Sequence, residues 1–180
     1  MVPPSPRRRA VEEYLRTTYE PDMEYVAGQL VERSAGEYLH SRLQALTSSL
    51  LISREEERQF SVFTEQRVRV SSEPRYRIPD ICVKALPHEE TAILERPDLV
   101  IEILSPDDRV GEMLKKIADY RDAGIPHIWL ADPYERAVFT ADETGIKQAI
   151  NGILETDLVG AVDFNLLFEK MRKRASEPRP

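Results

Sequence analysis

Leu39, Leu43, Leu46 and Leu50 recur at spacings of four, three and four, the stripe of a helix lying on a core. The pattern predicts a first long helix over 37–53, entered after Gly36. The charged run Arg54-Glu55-Glu56-Glu57-Arg58 that follows reads as a solvated segment. From Phe60 to Val83 the period falls to two. Ser61/Val62, Arg67/Val68 and Arg69/Val70 alternate as a half-exposed strand does. A turn at Ser71-Ser72-Glu73-Pro74 leads into a strand from Tyr76 to Val83, and 88–96 reads as a polar connection. Leu99 to Leu104 is apolar on both faces, as a covered central strand is. Val110, Met113, Leu114, Ile117 and Tyr120 mark the buried stripe of a second helix. Ser105-Pro106-Asp107-Asp108 offers its capping groups, and Gly124 ends it. Strands are predicted over 125–131, 137–140 and 146–150, and a small terminal helix over 164–168.

Upstream, Met23 to Arg33 reads as a hairpin turning at Ala27-Gly28. Val11 to Thr17 suits a short helix. Pro3, Pro4 and Pro6 make 1–9 a disordered arm. The 99–104 strand, the 109–123 helix and the 125–131 strand form a βαβ unit, right-handed by the usual rule. The expected class is α/β (α+β): a mixed β-sheet flanked by helices, with an extra N-terminal hairpin. One domain over 10–170 is expected, with a flexible tail over 171–180.

Length and composition agree with this. A chain of 180 residues holds one real core and has little room for two. Hydrophobic residues make up 41% and charged residues 32%, the balance of a soluble globular protein. No apolar run approaches the roughly 20 residues that span a bilayer. The basic start lacks the apolar core of a signal peptide. The single cysteine, Cys82, excludes an internal disulfide framework and a cysteine-based zinc site. The expected compartment is the cytoplasm. The net charge of −7 argues against bulk electrostatic adhesion to nucleic acid. It leaves room for a local basic groove, with positive charge gathered at Arg7-Arg8-Arg9 and at Lys170, Arg172, Lys173 and Arg174.

One residue breaks the apolar run of the central strand. Glu102 stands between Ile101 and Ile103. Taking its charge out of water costs several kcal/mol unless a cation or metal meets it. Strand alternation sets it on one face with Asp98, Val100 and Leu104. Asp80, directly after Pro79, opens the second apolar strand. If the two strands pair, Asp80 and Glu102 can share one Mg2+ (or Mn2+) ion, with the carbonyl of Ile103 as a third ligand. Magnesium takes one or two carboxylates and keeps several waters. The ion would activate a water and neutralise phosphate charge.

On the second helix, Lys116 lies roughly 100° from the stripe centre and Lys115 roughly 160°. Lys115 therefore faces solvent, while Lys116 at the stripe edge can reach inward. Lys116 is the candidate to position a water or offset transition-state charge. His40 on the first helix is a weaker fourth member. Bland readings stand beside these: an arginine partner for Glu102, a turn role for Asp80, a surface place for Lys116, and a boundary place for His40.

These residues carry a resemblance. Pro79-Asp80, the run Pro97 to Pro106, Lys116…Tyr120, Gly124-Ile125 and Trp129 to Pro133 together resemble the Uma family of restriction-endonuclease-like proteins. That family lies in the PD-(D/E)xK, restriction-endonuclease-like superfamily, and the likeness covers about 10–170. It implies a metal-dependent endonuclease acting on DNA. Asp80 would match the PD acid and Glu102 the D/E acid. The xK position falls on Leu104, which cannot act, and the matching lysine is Lys116 on the following helix. The first-helix acid of many such nucleases has no sure match; His40 or Glu37 stands nearest. A catalytically inactive nuclease-fold protein that binds nucleic acid or a protein partner is the rival reading. A hydrolase of a smaller phosphoester is a third. A homodimer would supply two sites for two strands.

Overall fold

Two sheets meet at the segment Ile78-Pro79-Asp80. The computed structural model describes residues 6–32 and 37–173. In chain order the elements are α1 (Pro6–Arg16), β1 (Met23–Val26), β2 (Gln29–Glu32), α2 (Tyr38–Ile52), α3 (Glu55–Arg58), β3 (Phe60–Thr64), β4 (Val68–Arg69), β5 (Tyr76–Arg77) and β6 (Ile81–Ala85). There follow β7 (Leu94–Glu95), β8 (Leu99–Ile103), α4 (Val110–Asp122), β9 (His127–Asp132), β10 (Ala137–Asp142), β11 (Gly145–Gln148), β12 (Ile153–Thr156), β13 (Gly160–Asp163) and α5 (Phe164–Lys173).

The larger sheet has six strands in the order β11-β10-β9-β8-β6-β3. Within it β8 and β9 run parallel, joined by α4, which is the expected βαβ connection. β6 pairs with β8 antiparallel, with Ile81 opposite Ile101. The smaller sheet, β2-β1-β5-β4-β7, contains the expected hairpin. Its turn works because Ala27 and Gly28 both take positive φ, 50° and 85°.

Every residue of β8 is buried. Leu99, Ile101 and Ile103 pack with Leu43 and Leu51 of α2 and with Phe164 and Phe168 of α5. Val100 faces the other way, with Cys82, Ile117 and Tyr120. A third cluster, Val11, Tyr14, Tyr25 and Tyr76, ties α1 to the smaller sheet.

Several expectations change. α1 starts at Pro6 instead of near Val11, so the expected disordered arm is helical over 6–9. Proline suits a first helical turn, where its missing N–H costs nothing. The rest of that arm, 1–5, and the Gly36 entry lie outside the described residues. α5 runs through Lys173, so the expected flexible tail begins inside a helix; 174–180 lie outside the described residues.

The strand expected over 76–83 is two strands. Pro79 interrupts the run, so β5 joins the smaller sheet and β6 the larger. On α4, Val110 is 76% and Leu114 49% exposed, although the apolar pattern set both in the stripe. The inward face is Ile117 and Tyr120, with Met113 beside them. The β12–β13 hairpin escaped the pattern because each strand is only four residues long, too short to show a period.

Candidate active site

The end of β6 and β8 brings two acids together. Continuing their register by one residue sets Asp80 across from Glu102. Directly opposed residues share a face, with Cβ atoms about 4.5–5.5 Å apart. Each is only 2% exposed.

Asp80 is held from two sides. Its Oδ2 accepts the amide hydrogen of Ile103 at 2.7 Å. His40 Nε2 lies 3.2 Å from the same oxygen. One turn further along α2, Gln44 donates to the main-chain carbonyl of Asp80 at 3.0 Å. The helix that the leucine pattern predicts therefore delivers its polar flank to the site.

Glu102 is held by α4. Lys116 Nζ stands 3.2 Å from its Oε2, and the Tyr120 hydroxyl donates to Oε1. These residues are one helical turn apart, so both reach the same carboxylate. Burial pushes the Glu102 carboxyl above its ordinary range; Lys116 pulls it down, Asp80 and Glu24 push it further up, and the Tyr120 bond lowers it. Burial, with Glu102 beside it, raises the Tyr120 hydroxyl well above its usual value, so this phenol stays a donor at neutral pH.

Asp80, Glu102, Ile103, Lys116 and His40 all line one pocket of about 250 Å³. Its lining carries seven carboxylate residues against the cations Arg77, Arg109 and Lys116, with His40 beside them. Glu37 is not part of that lining; it stands at the N-cap position of α2 with its side chain turned to Tyr134, from which it accepts a hydrogen bond at 3.2 Å. Leu104 turns away into an apolar pocket with Met113, Leu114 and Leu130. Lys115 points outward and pairs with Glu112.

Residues 11–150 match the Uma2 family, described as "Putative restriction endonuclease". The chain belongs to this family. Its fold also matches a crystal structure described as a putative nuclease belonging to DUF820 from Anabaena variabilis. That likeness has a TM-score of 0.77 at 26% identity and covers 89% of this chain and 98% of the other. A comparison with curated proteins finds no match. The family places a nuclease-like fold around this pocket.

Three buried residues of the pocket region escaped the sequence reading. Glu24 on β1 accepts from Arg77 at 2.7 Å and from the Ile78 amide at 3.1 Å, and lies 3.4 Å from Lys116 Nζ. Arg77 also reaches Asp119 of α4, Nη2 to Oδ2 at 2.6 Å. Burial works against the Arg77 charge, but Glu24 and Asp119 outweigh it and hold the guanidinium above its ordinary pKa. Arg77 thus serves Glu24 and Asp119, while Glu102 has the lysine and the tyrosine. An acid between apolar neighbours, the signal that singled out Glu102, was present at Met23-Glu24-Tyr25 as well.

Proposed function

We propose that the protein is a metal-dependent endonuclease that hydrolyses DNA phosphodiester bonds. One observation carries the reading: two buried carboxylates, Asp80 and Glu102, face each other at a sheet end with the Lys116 ammonium against the second. We read this as a PD-(D/E)xK arrangement with the lysine displaced to α4.

Among the described residues, no three His, Cys, Asp or Glu side chains gather as a metal-holding group. Two facing carboxylates and a main-chain carbonyl remain. That set of hard oxygens suits Mg2+ or Mn2+, which retain several waters. In a regular strand the amide and carbonyl of one residue face the same neighbour. The Ile103 amide meets Asp80, which favours its carbonyl as the third ligand. Each carboxylate oxygen of Glu102 has a second lone pair beyond the bond it already accepts. The acid surplus of the pocket favours a cation and would repel a bare phosphate. The residues therefore fit the ion. When bound, it supplies a polarised water at neutral pH and offsets charge on the scissile phosphate.

The side chains divide the remaining work. Lys116 offsets negative charge developing on the phosphate. Tyr120 fixes the Glu102 carboxylate by its hydroxyl. His40, with Gln44, keeps Asp80 aimed at the site. Cutting both strands takes two such sites, which favours a homodimer acting in the cytoplasm. No helix among the described residues is long and apolar enough to cross a membrane.

The rival is an inactive nuclease-fold protein, favoured by the engagement of both Glu102 oxygens. Incubating supercoiled plasmid with Mg2+ decides between them. Wild type should nick it, and Glu102→Gln should lose about 100-fold or more. Equal rates, or no cleavage by either, would remove the endonuclease reading.

A further inference from the structure

Lys116 stands between two buried acids from different sheets. Glu102 of β8 lies 3.2 Å from its Nζ and Glu24 of β1 lies 3.4 Å away. The two acids are anchored differently. Glu102 faces Asp80 across the strand register and belongs to the proposed metal site. Glu24 faces the same pocket from β1 of the smaller sheet and has no place in the β6–β8 register that pairs Asp80 with Glu102. It is clamped instead, by the Arg77 guanidinium on Oε2 and the Ile78 amide on Oε1. Arg77 is clamped in turn by Asp119, on the same helix as Lys116.

We infer that Glu24 is a positioning residue: held by Arg77, it fixes the Lys116 ammonium in the pocket independently of Glu102. A lysine side chain has four flexible carbons and much rotamer freedom to lose. Glu102 alone is a poor anchor for it, because the proposed reaction asks that carboxylate to share its charge with a cation. Every unit of charge so shared weakens its pull on Lys116 and adds repulsion. Glu24 meets the ammonium through the oxygen that also accepts from Ile78, so its aim does not depend on Glu102. The N-terminal hairpin, which lies in the smaller sheet, thereby contributes a residue to the active pocket of the larger one. The loop Arg77–Glu24–Lys116 and Arg77–Asp119 closes on α4, so hairpin, β5 and helix set one another's positions.

This inference rests on the endonuclease reading for its consequence in turnover, but its geometry can be tested without turnover. Glu24→Gln keeps the shape of the side chain and removes its charge. Glu24→Asp keeps a charge to balance Arg77 but draws the carboxylate back by one carbon, which lengthens the already longer contact to Lys116, and covers the case in which the first variant folds poorly. The first readout is the acylation rate of Lys116 by a small amine-reactive reagent, followed by peptide mass spectrometry, with exposed Lys115 as internal reference. Lys116 should react several-fold faster in both variants, and Lys115 at the wild-type rate. The second is plasmid nicking with Mg2+, normalised to the folded fraction. Turnover should fall about 10- to 100-fold, the size of loss expected from misplacing a reacting group, with KM nearly constant. Unchanged Lys116 acylation in well-folded variants would overturn the inference, as would unchanged turnover per folded molecule. A wild type that cuts no DNA would sink the endonuclease reading, while the acylation rates would still decide where Glu24 holds Lys116.

Discussion

Ile103 donates its amide hydrogen to Asp80 Oδ2 at 2.7 Å, so the residue that follows one acid fixes the other. The two carboxylates cannot drift apart without breaking a buried hydrogen bond. Asp80→Ala removes the acceptor and strands a buried amide. The expected loss is about 1–3 kcal/mol, or ~2–4 °C in Tm for each kcal/mol at this chain length. Asp80→Asn keeps a side-chain oxygen there and should lose less, while abolishing nicking equally. Thermal melts of the two variants without metal check the order; an equal loss would show that the bond contributes nothing.

Glu102 makes stability depend on pH in a stated direction. Burial raises its folded-state pKa above the ordinary value. A group shifted this way contributes stability that is present below the unfolded pKa and is lost as pH rises through the folded one. Glu102→Gln cannot titrate, so it lacks that decline. The variant should therefore gain on wild type as pH climbs from about 4 toward neutrality. Melting curves over that range, with a chelator present, read the gap; parallel curves would contradict the shift. Adding Mg2+ or Mn2+ should reverse the order. Wild type gains about 2.7 kcal/mol at 100 times the dissociation constant, and the variant gains far less.

Tyr120→Phe leaves Glu102 with one donor fewer in a site already short of water. The lost bond is charge-assisted when Glu102 is ionised, so about 1.5–3 kcal/mol of stability should go. The same bond lowers the Glu102 pKa, so its loss should move the carboxyl higher still. Carbon-13 NMR of labelled glutamate side chains, with Glu102→Gln for assignment, would follow that titration. A downward shift would mean that the hydroxyl does not serve the carboxylate.

Much of this site was legible because its parts leave local marks. A carboxylate inside an apolar run, a proline before an acid, and a capped helix after a strand are short-range signals. They placed Asp80, Glu102 and the α4 element. The wheel found Lys116 at the stripe edge, yet with the wrong centre. Val110 and Leu114 look buried by period, but they stay exposed along the open apolar pocket between α4 and the sheet, and without them the stripe moves toward Lys116. Glu24 was hidden for another reason. Alternation in Met23–Val26 sends Glu24 and Tyr25 to opposite faces, and a single sheet would leave one of them wet. Here both faces of β1 are covered, and Glu24 and Tyr25 are both buried. The Arg77–Asp119 pair joins residues 42 positions apart, a separation at which no period operates.

Arg77 is the most exacting test of that hidden network. It is 3% exposed and meets two acids that are themselves buried, Glu24 and Asp119. Arg77→Met keeps much of the volume and removes the charge. Removing one partner of a buried ion pair typically costs about 3–5 kcal/mol, because the other charge stays behind unpaired. Glu24 would retain Lys116, and Asp119 would retain Arg75, so the lower end of that range is expected. Arg75 offers the control. Its side chain is 38% exposed, and exposed pairs contribute about 1 kcal/mol or less. Arg75→Gln should therefore cost a fraction of what Arg77→Met costs. Urea unfolding of both variants makes the comparison. Equal losses would mean that the stability of this network lies at its wet end and that Arg77 does not hold Glu24 in place.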